Sequence, residues 1–132
     1  MTMVVGLLRL TLHIPEAHSL KDRRAVVRRA IERVRARFNV TIAEVGDLDR
    51  WQIATVAAAV VSNDRSLVNE VLDKVTGTIA SAAAGSAIIA NREMEIQSYG
   101  DRESIGEGLA LKPTGTPPMS MLSEDDDADD ET

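Results

Sequence analysis

The chain has 132 residues, 44% of them hydrophobic and only 2% aromatic, and it contains no cysteine. This length fits one domain, at most with an appendage, and the lack of cysteine excludes a disulfide framework and thiolate metal sites. The net charge of −6 is unevenly placed: residues 1–40 hold nine basic and three acidic side chains, whereas residues 113–132 hold seven acidic and no basic ones. This asymmetry is typical of a nucleic-acid-binding surface joined to an acidic tail.

The first predicted element is a strand from Met3 to Ile14. Apolar side chains at its even positions share one face. The other face carries Val5, Leu7, Arg9, Thr11 and His13. Pro15 ends the strand because it has no backbone N–H to donate to a neighbour.

A helix from Ser19 to Phe38 is predicted next. Ser19 has the chemistry of an N-cap, and Asp22 three residues later can reach back to it. One apolar stripe contains Leu20, Val27, Ala30, Ile31, Val34 and Phe38. Along one edge of the stripe lie Lys21, Arg24, Arg28 and Arg35, with Arg33 and Arg37 on the other edge and Arg29 at the back. Two interpretations stay open: a solvated basic helix, or a surface that faces phosphate groups.

The second half of the chain repeats the strand and helix pattern. A hairpin is predicted from strands at 40–45 and 51–61, joined by turn residues 46–50. A helix N-cap within residues 62–64 precedes an apolar stripe from Leu67 to Ile79, and Gly85 is well placed just past the helix end. Residues 86–98 form the last predicted strand. The exposed Gly77 costs that helix about 1 kcal/mol relative to alanine.

The order β-α-β-β-α-β predicts an α+β fold of the ferredoxin-like type: a four-stranded antiparallel sheet with two helices on one face. Residues 1–100 are predicted to form this domain. Residues 101–132 change to a Gly/Pro-rich and then acidic composition, which buries too little apolar surface to order itself. We therefore expect a disordered acidic tail there.

The sheet face without helices is expected to be exposed. It carries Leu7, Arg9 and Thr11, together with Ile53 and Ile89, and no aromatic residue occurs on the first or the last strand before Tyr99. Stacking of bases on this face is therefore disfavoured. Contact with a second copy of the chain or another protein is favoured, with Leu7, Arg9, Thr11 and Trp51 as candidate interface residues. Trp51 is interpreted as a core or interface anchor.

The residues of catalytic and metal chemistry do not form a recognisable pattern. His13 and His18 have no third convergent ligand, and acidic residues 47 and 49 fit turn chemistry better than a cation site. Phosphate-loop and dinucleotide fingerprints are missing. Glu93 and Glu95 alternate on one face of the last strand but need a pocket before they indicate acid–base catalysis. We expect no enzyme, no cofactor, no metal and no small-molecule substrate.

Several segments together resemble a known bacterial family. They are Ser19-Leu-Lys-Asp-Arg-Arg24, Phe38-Asn-Val-Thr-Ile-Ala-Glu-Val-Gly-Asp47, Trp51-Gln52 and Val60-Val-Ser-Asn63, and they are similar to the YlxP-like family of small domains of unknown function. The resemblance covers residues 3–98 and implies a ferredoxin-like fold, a cytoplasmic setting and a homodimer. Genes of this family tend to lie among genes for transcription elongation, translation initiation and ribosome maturation, which implies a role near RNA by association. It implies no catalytic residues.

Two functional hypotheses follow from the sequence. The first is a non-enzymatic module that binds structured RNA or the ribosome through Lys21, Arg24, Arg28 and Arg35. The second is a dimeric protein-interaction or regulatory scaffold that uses the open sheet face. The start of the chain lacks signal-peptide features, and its longest apolar run, residues 54–61, is too short to span a membrane. We therefore expect a cytoplasmic protein with no membrane partner.

Overall fold

The computed structural model describes residues 2–46 and 50–100. Its elements are β1 (Met3–His13), α1 (Leu20–Arg37), β2 (Thr41–Val45), β3 (Ile53–Ser62), α2 (Arg65–Ala82) and β4 (Ile88–Tyr99). Residues Thr2–Ser98 form one compact unit. The predicted element order and the ferredoxin-like fold are confirmed. The predicted tail at 101–132 lies outside the described residues.

Side-chain caps fix where the two helices begin. The Ser19 hydroxyl accepts a hydrogen bond from the Asp22 backbone N–H at 3.1 Å, and the Asp22 carboxylate accepts one from the His18 backbone N–H at 3.0 Å. Asp64 accepts from the backbone N–H groups of Ser66 and Leu67 at 2.9 and 3.3 Å. Each cap satisfies N–H groups that the first helical turn leaves without a partner.

The sheet has the strand order β2-β3-β1-β4. Strands β1 and β3 pair antiparallel from Val4 opposite Ser62 to His13 opposite Ile53, and the short β2 pairs antiparallel with β3. Strand β2 is therefore one edge of the sheet, and β1 lies in its interior. The residues that end β1 and begin β3 meet at the same end of the sheet, beside the β2–β3 hairpin.

Both helices pack on one face of the sheet, called here the covered side. Its core contains the even residues of β1 and an aliphatic stripe from each helix. The largest fully buried apolar side chains are Leu10, Leu12, Ile14, Leu72, Ile79, Val4, Val34, Val56, Val68 and Val75. The opposite face, called the open side, carries the odd residues of β1 and β3, which are exposed or half-buried.

The predicted apolar stripe of α1 needs one correction. On α1, Leu20 is only half-buried, whereas Arg23 and Val26 are buried. On β4, Ile89 is half-buried and packs against the core. None of the twelve residues of β4 is fully buried. Apolar and polar side chains alternate only weakly along this strand, so its two faces are hard to assign from the sequence.

Candidate nucleic-acid interface

A groove runs between α1 and the edge strand β2. It has a volume of about 300 Å³ and is called here the basic groove. Its lining consists of Arg24, Val27, Arg28, Ile31, Glu32, Arg35, Ala43 and Glu44. Three of the four predicted phosphate-binding residues thus meet in one concave surface. Lys21 is exposed in the first turn of α1 and does not contribute to this lining.

The three arginines of the basic groove have different surroundings. Arg24 and Arg28 are exposed side chains one helical turn apart, so their guanidinium groups lie on the same side of α1. Arg35 is held more firmly, because its Nη2 donates a hydrogen bond to the Ile42 carbonyl at 3.1 Å. That bond occupies one donor of a group that has five. The remaining donors can still bind an anion in the groove.

The two acidic residues of the groove do not cancel this positive charge. The Glu44 carboxylate accepts a hydrogen bond from Nη2 of Arg23, a side chain that is only 1% exposed. Nε of the same guanidinium donates to the Ile53 carbonyl at 3.1 Å. Glu44 therefore neutralises a buried cation beneath the groove. The lining then contains one further carboxylate, that of Glu32, and three arginine side chains, so its net charge is positive.

The burial of Arg23 was not predicted from the sequence. This residue belongs to the basic Ser-Leu-Lys-Asp-Arg-Arg segment, yet it points into the protein while Arg24 points outward. The signal was present in the helical spacing, since Arg23 lies four and seven residues before Val27 and Ala30 of the buried stripe. Glu44 lies two residues after buried Ile42 on β2, so both side chains are on the covered side.

Arg29, predicted at the back of α1, is exposed and its side chain reaches the end of α2. Its Nε donates to the Ala82 carbonyl at the end of α2, with a donor–acceptor distance of 3.3 Å. The last carbonyls of a helix have no partner within the helix and favour a nearby cation. Arg29 therefore links the two helices and is separate from the basic groove.

The open side holds three of the four predicted interface residues. Leu7 is 49% exposed and, with Arg9, lines a groove of about 430 Å³ that also includes Val45, Ala57 and Glu93. Thr11 lies two residues further along the same face of β1. The Arg9 Nε donates to the Glu93 carboxylate at 2.6 Å, and this hydrogen bond and charge lower the pKa of Glu93 below its ordinary value.

Trp51 occupies a different position from the other three. It precedes β3 and is 52% exposed, so it is not a core anchor. With His13, Arg50, Gln52 and Ile53 it lines an open depression of about 550 Å³, called here the hairpin cleft. The cleft lies at the hairpin end of the sheet rather than at the centre of the open side.

Known proteins place this chain in a family. Residues 5–94 match the model of a family described as "Protein of unknown function (DUF503)". The chain belongs to this family. It is also 41% identical over 68 residues to the uncharacterized protein YlxP of Bacillus subtilis (strain 168), a match that covers 52% of this chain and 74% of YlxP. The resemblance seen in the sequence is thereby confirmed, and the family carries no assigned function.

Solved structures with a similar fold are distant in sequence. A de novo designed protein with a ferredoxin fold has a TM-score of 0.44 and 12% identity, over 74% of this chain and 86% of the design. MupZ from Pseudomonas fluorescens has a TM-score of 0.47 and 17% identity, over 85% of this chain and 87% of MupZ.

Two further findings concern other kinds of site. In residues 2–46 and 50–100, no group of three His, Asp or Glu side chains is arranged to hold a metal ion. Neither of the two helices in the described part of the chain is long and apolar enough to cross a membrane.

Proposed function

We propose that this protein is a non-enzymatic, cytoplasmic module that binds structured RNA, free or in the ribosome, through the basic groove. The observation that carries the proposal is the convergence of Arg24, Arg28 and Arg35 on one concave surface. Guanidinium groups suit this task because their planar fork of donors matches the oxygens of a phosphate group. Lys21 lies one helical turn before Arg24 and extends the same positive flank of α1.

The local charge arrangement supports phosphate binding over simple solvation. A solvated basic helix needs no concavity, whereas here the edge strand β2 forms the second wall of the groove. Glu44 is already paired with the buried Arg23. Because this pairing largely neutralises its negative charge, Glu44 repels an anion in the groove only weakly. Phosphate contacts of this kind set affinity and position and carry no information about base sequence.

The test compares two double charge reversals on the same helix. Arg24→Glu with Arg28→Glu changes the basic groove, while Arg33→Glu with Arg37→Glu changes the net charge equally on residues outside its lining. With a fluorescently labelled RNA stem-loop at low salt, we expect the groove variant to bind at least about tenfold more weakly. Its salt dependence should fall by about two in slope, because two phosphate contacts are lost.

The matched control decides the outcome. If the control variant binds RNA within about threefold of the natural protein, the groove is the binding surface. Equal losses in both variants would mean that only net charge matters, and the groove proposal would be wrong. Circular dichroism and thermal unfolding of both variants check that the helix remains folded.

A second candidate function is a homodimeric scaffold that associates through the open side. The observation in its favour is Leu7, which is 49% exposed in the middle of β1 and lies in a groove beside the Arg9–Glu93 ion pair. A two-fold symmetric contact would place the same apolar patch of each copy against the other. The two candidate functions use different surfaces, so they are compatible with each other.

A further inference from the structure

The hairpin cleft contains an aromatic side chain whose exposure the fold does not require. Trp51 is the only tryptophan of the chain, and about half of its surface is exposed to solvent although an aliphatic core lies nearby. Leaving a large indole in water forgoes the stabilisation that its burial would give. An exposed aromatic residue of this kind is typical of a binding surface.

Trp51 is held in place by its neighbours in the chain. The Gln52 carbonyl accepts a hydrogen bond from the Ile14 backbone N–H at 2.8 Å, and the Gln52 side-chain amide donates to the Pro15 carbonyl at 3.1 Å. Next along the chain, the Ile53 carbonyl accepts from the buried Arg23. The backbone that follows the indole is thus tied to β1 and α1, so a ligand stacking there meets a pre-positioned ring.

The other side chains of the cleft fit a nucleobase. Arg50 supplies a planar cation that can stack or bind a phosphate, and His13 and Gln52 supply hydrogen-bonding groups for the edges of a base. Ile53 is the only aliphatic residue of this lining, and the other four side chains are aromatic, cationic or hydrogen-bonding. Proteins that bind single-stranded RNA commonly combine an aromatic face, on which a base stacks, with polar side chains that hydrogen-bond to the edges of the base.

The hairpin cleft is also joined to the basic groove. Arg23 pairs with Glu44, which lines the groove, and with the Ile53 carbonyl, which belongs to a residue that lines the cleft. The two sites are therefore braced by one buried side chain. His13 and Ile53 belong to the odd residues of β1 and β3, so this part of the cleft lies at the hairpin end of the open side, while the basic groove lies on the covered side. An RNA that reaches both sites passes around this end of the sheet.

We propose that Trp51, with Arg50 and His13, is a stacking site for an unpaired base of an RNA whose phosphates occupy the basic groove. The inference rests on the proposed function, since the groove supplies the affinity for the backbone. It adds a preference that the groove alone lacks. RNA with an unpaired segment next to a stem binds more tightly than a blunt duplex of equal charge.

The experiment uses the full chain and the fluorescence of its single tryptophan. A stem with a short single-stranded extension should quench Trp51 emission on binding, whereas a blunt duplex with the same number of phosphates should leave the emission nearly unchanged. Trp51→Ala should weaken binding of the extended stem about five- to 150-fold, the range that base stacking on an aromatic side chain provides. Trp51→Phe should retain binding to within about threefold.

The matched control is Leu67→Ala, which shortens another exposed apolar side chain, 46% exposed on α2 and far from the hairpin in the fold. It should bind both RNAs as the natural protein does. Thermal unfolding of Trp51→Ala checks its folding, and Trp51→Phe tests the site without removing the ring.

The other possible results contradict the stacking site alone or the stacking site together with the proposed function. Binding of both RNAs to the basic groove, with no quenching and no effect of Trp51→Ala, would overturn the stacking site and leave the proposed function intact. No binding of either RNA would overturn both. A change in Trp51 emission that follows protein concentration but not RNA would assign the residue to a protein contact and overturn the stacking site.

Discussion

The covered and open sides of the sheet treat neighbouring residues of β1 in opposite ways. Gly6 is buried on the covered side, where a Cβ at its position would lie 2.9 Å from the Leu72 Cδ1 atom and closer still to Val68. Leu7, the next residue, is 49% exposed on the open side. At Gly6 the covered side has no room for a further atom, while at Leu7 the open side leaves a large apolar side chain without cover.

The same contrast separates the ion pairs of the two sides. Arg23 and Glu44 form a pair on the covered side with the guanidinium buried, whereas Arg9 and Glu93 form one on the open side in solvent. A buried charge has lost its hydration and depends on its partner, while an exposed charge can exchange its partner for water. Changes on the covered side should therefore alter folding, and changes on the open side should alter association.

The largest expected effect is the loss of the partner of Arg23. Glu44→Ala leaves a buried guanidinium without its carboxylate and should lower the free energy of unfolding by about 3–5 kcal/mol. Urea denaturation measures the change. Glu32→Ala, which removes the other carboxylate of the basic groove, should stay within about 0.5 kcal/mol. Similar values for the two variants would mean that the buried pair has no special weight.

A smaller loss is expected from adding one methyl group at position 6. Gly6→Ala forces the side chains of Val68 and Leu72 to move and should cost about 1–3 kcal/mol. Gly77 offers the matched substitution, because a Cβ there meets nothing within 4 Å. Gly77→Ala should instead stabilise the protein by about 0.5–1 kcal/mol through its helix propensity. Thermal or urea unfolding of both variants tests the difference in sign.

On the open side, a charge should change association and leave folding nearly unaltered. Leu7→Glu should convert a dimer to a monomer in sedimentation equilibrium, because a carboxylate would have to be buried in the contact. Its free energy of unfolding, measured on the monomer, should change by less than about 0.5 kcal/mol. Leu67→Glu, at a similarly exposed site on α2, should leave the dimer intact. A natural protein that is monomeric at high micromolar concentration would disprove the dimer.

The smallest effect is expected at the exposed ion pair. Arg9 lowers the pKa of Glu93, so the pair stabilises the fold above the ordinary glutamate pKa of about 4.3, and this contribution is lost as the pH falls through the lowered value. In an NMR titration, Arg9→Ala should raise the pKa of Glu93 towards its ordinary value. Arg65→Ala, on α2, should leave it unchanged. If Glu93 has the same pKa in the natural protein and in Arg9→Ala, the ion pair does not persist in solution.

The sequence predicted most of this fold because its local signals agree with one another. The Ser19 cap, the alternation along β1 and the position of Gly85 each fixed one element, and the element order then limited the topology. The faces of α1 were harder to assign, since a helical stripe is defined by apolar residues and Arg23 is not one. Its burial depends on Glu44, a residue brought beside it only by tertiary structure.

The candidate site was predictable only in part for a related reason. Helical spacing placed Arg24, Arg28 and Arg35 on one flank, but the second wall of the basic groove comes from β2 and has no signal in the helix itself. Trp51 was assigned to the core or an interface because tryptophan is apolar. Its position just before β3 leaves it at the hairpin end of the sheet, where the core does not extend.

The interior position of β1 has a consequence for synthesis of the chain. This strand is synthesised before the other strands of the domain, and its partner β3 follows only after α1 and β2, a delay of several seconds at about 5–20 residues per second. During that time a largely apolar strand has no hydrogen-bonding neighbour. A nascent chain stalled before β3 would thus expose an unpaired strand able to aggregate; β3 then covers one edge of β1, and β4, the last strand, covers the other.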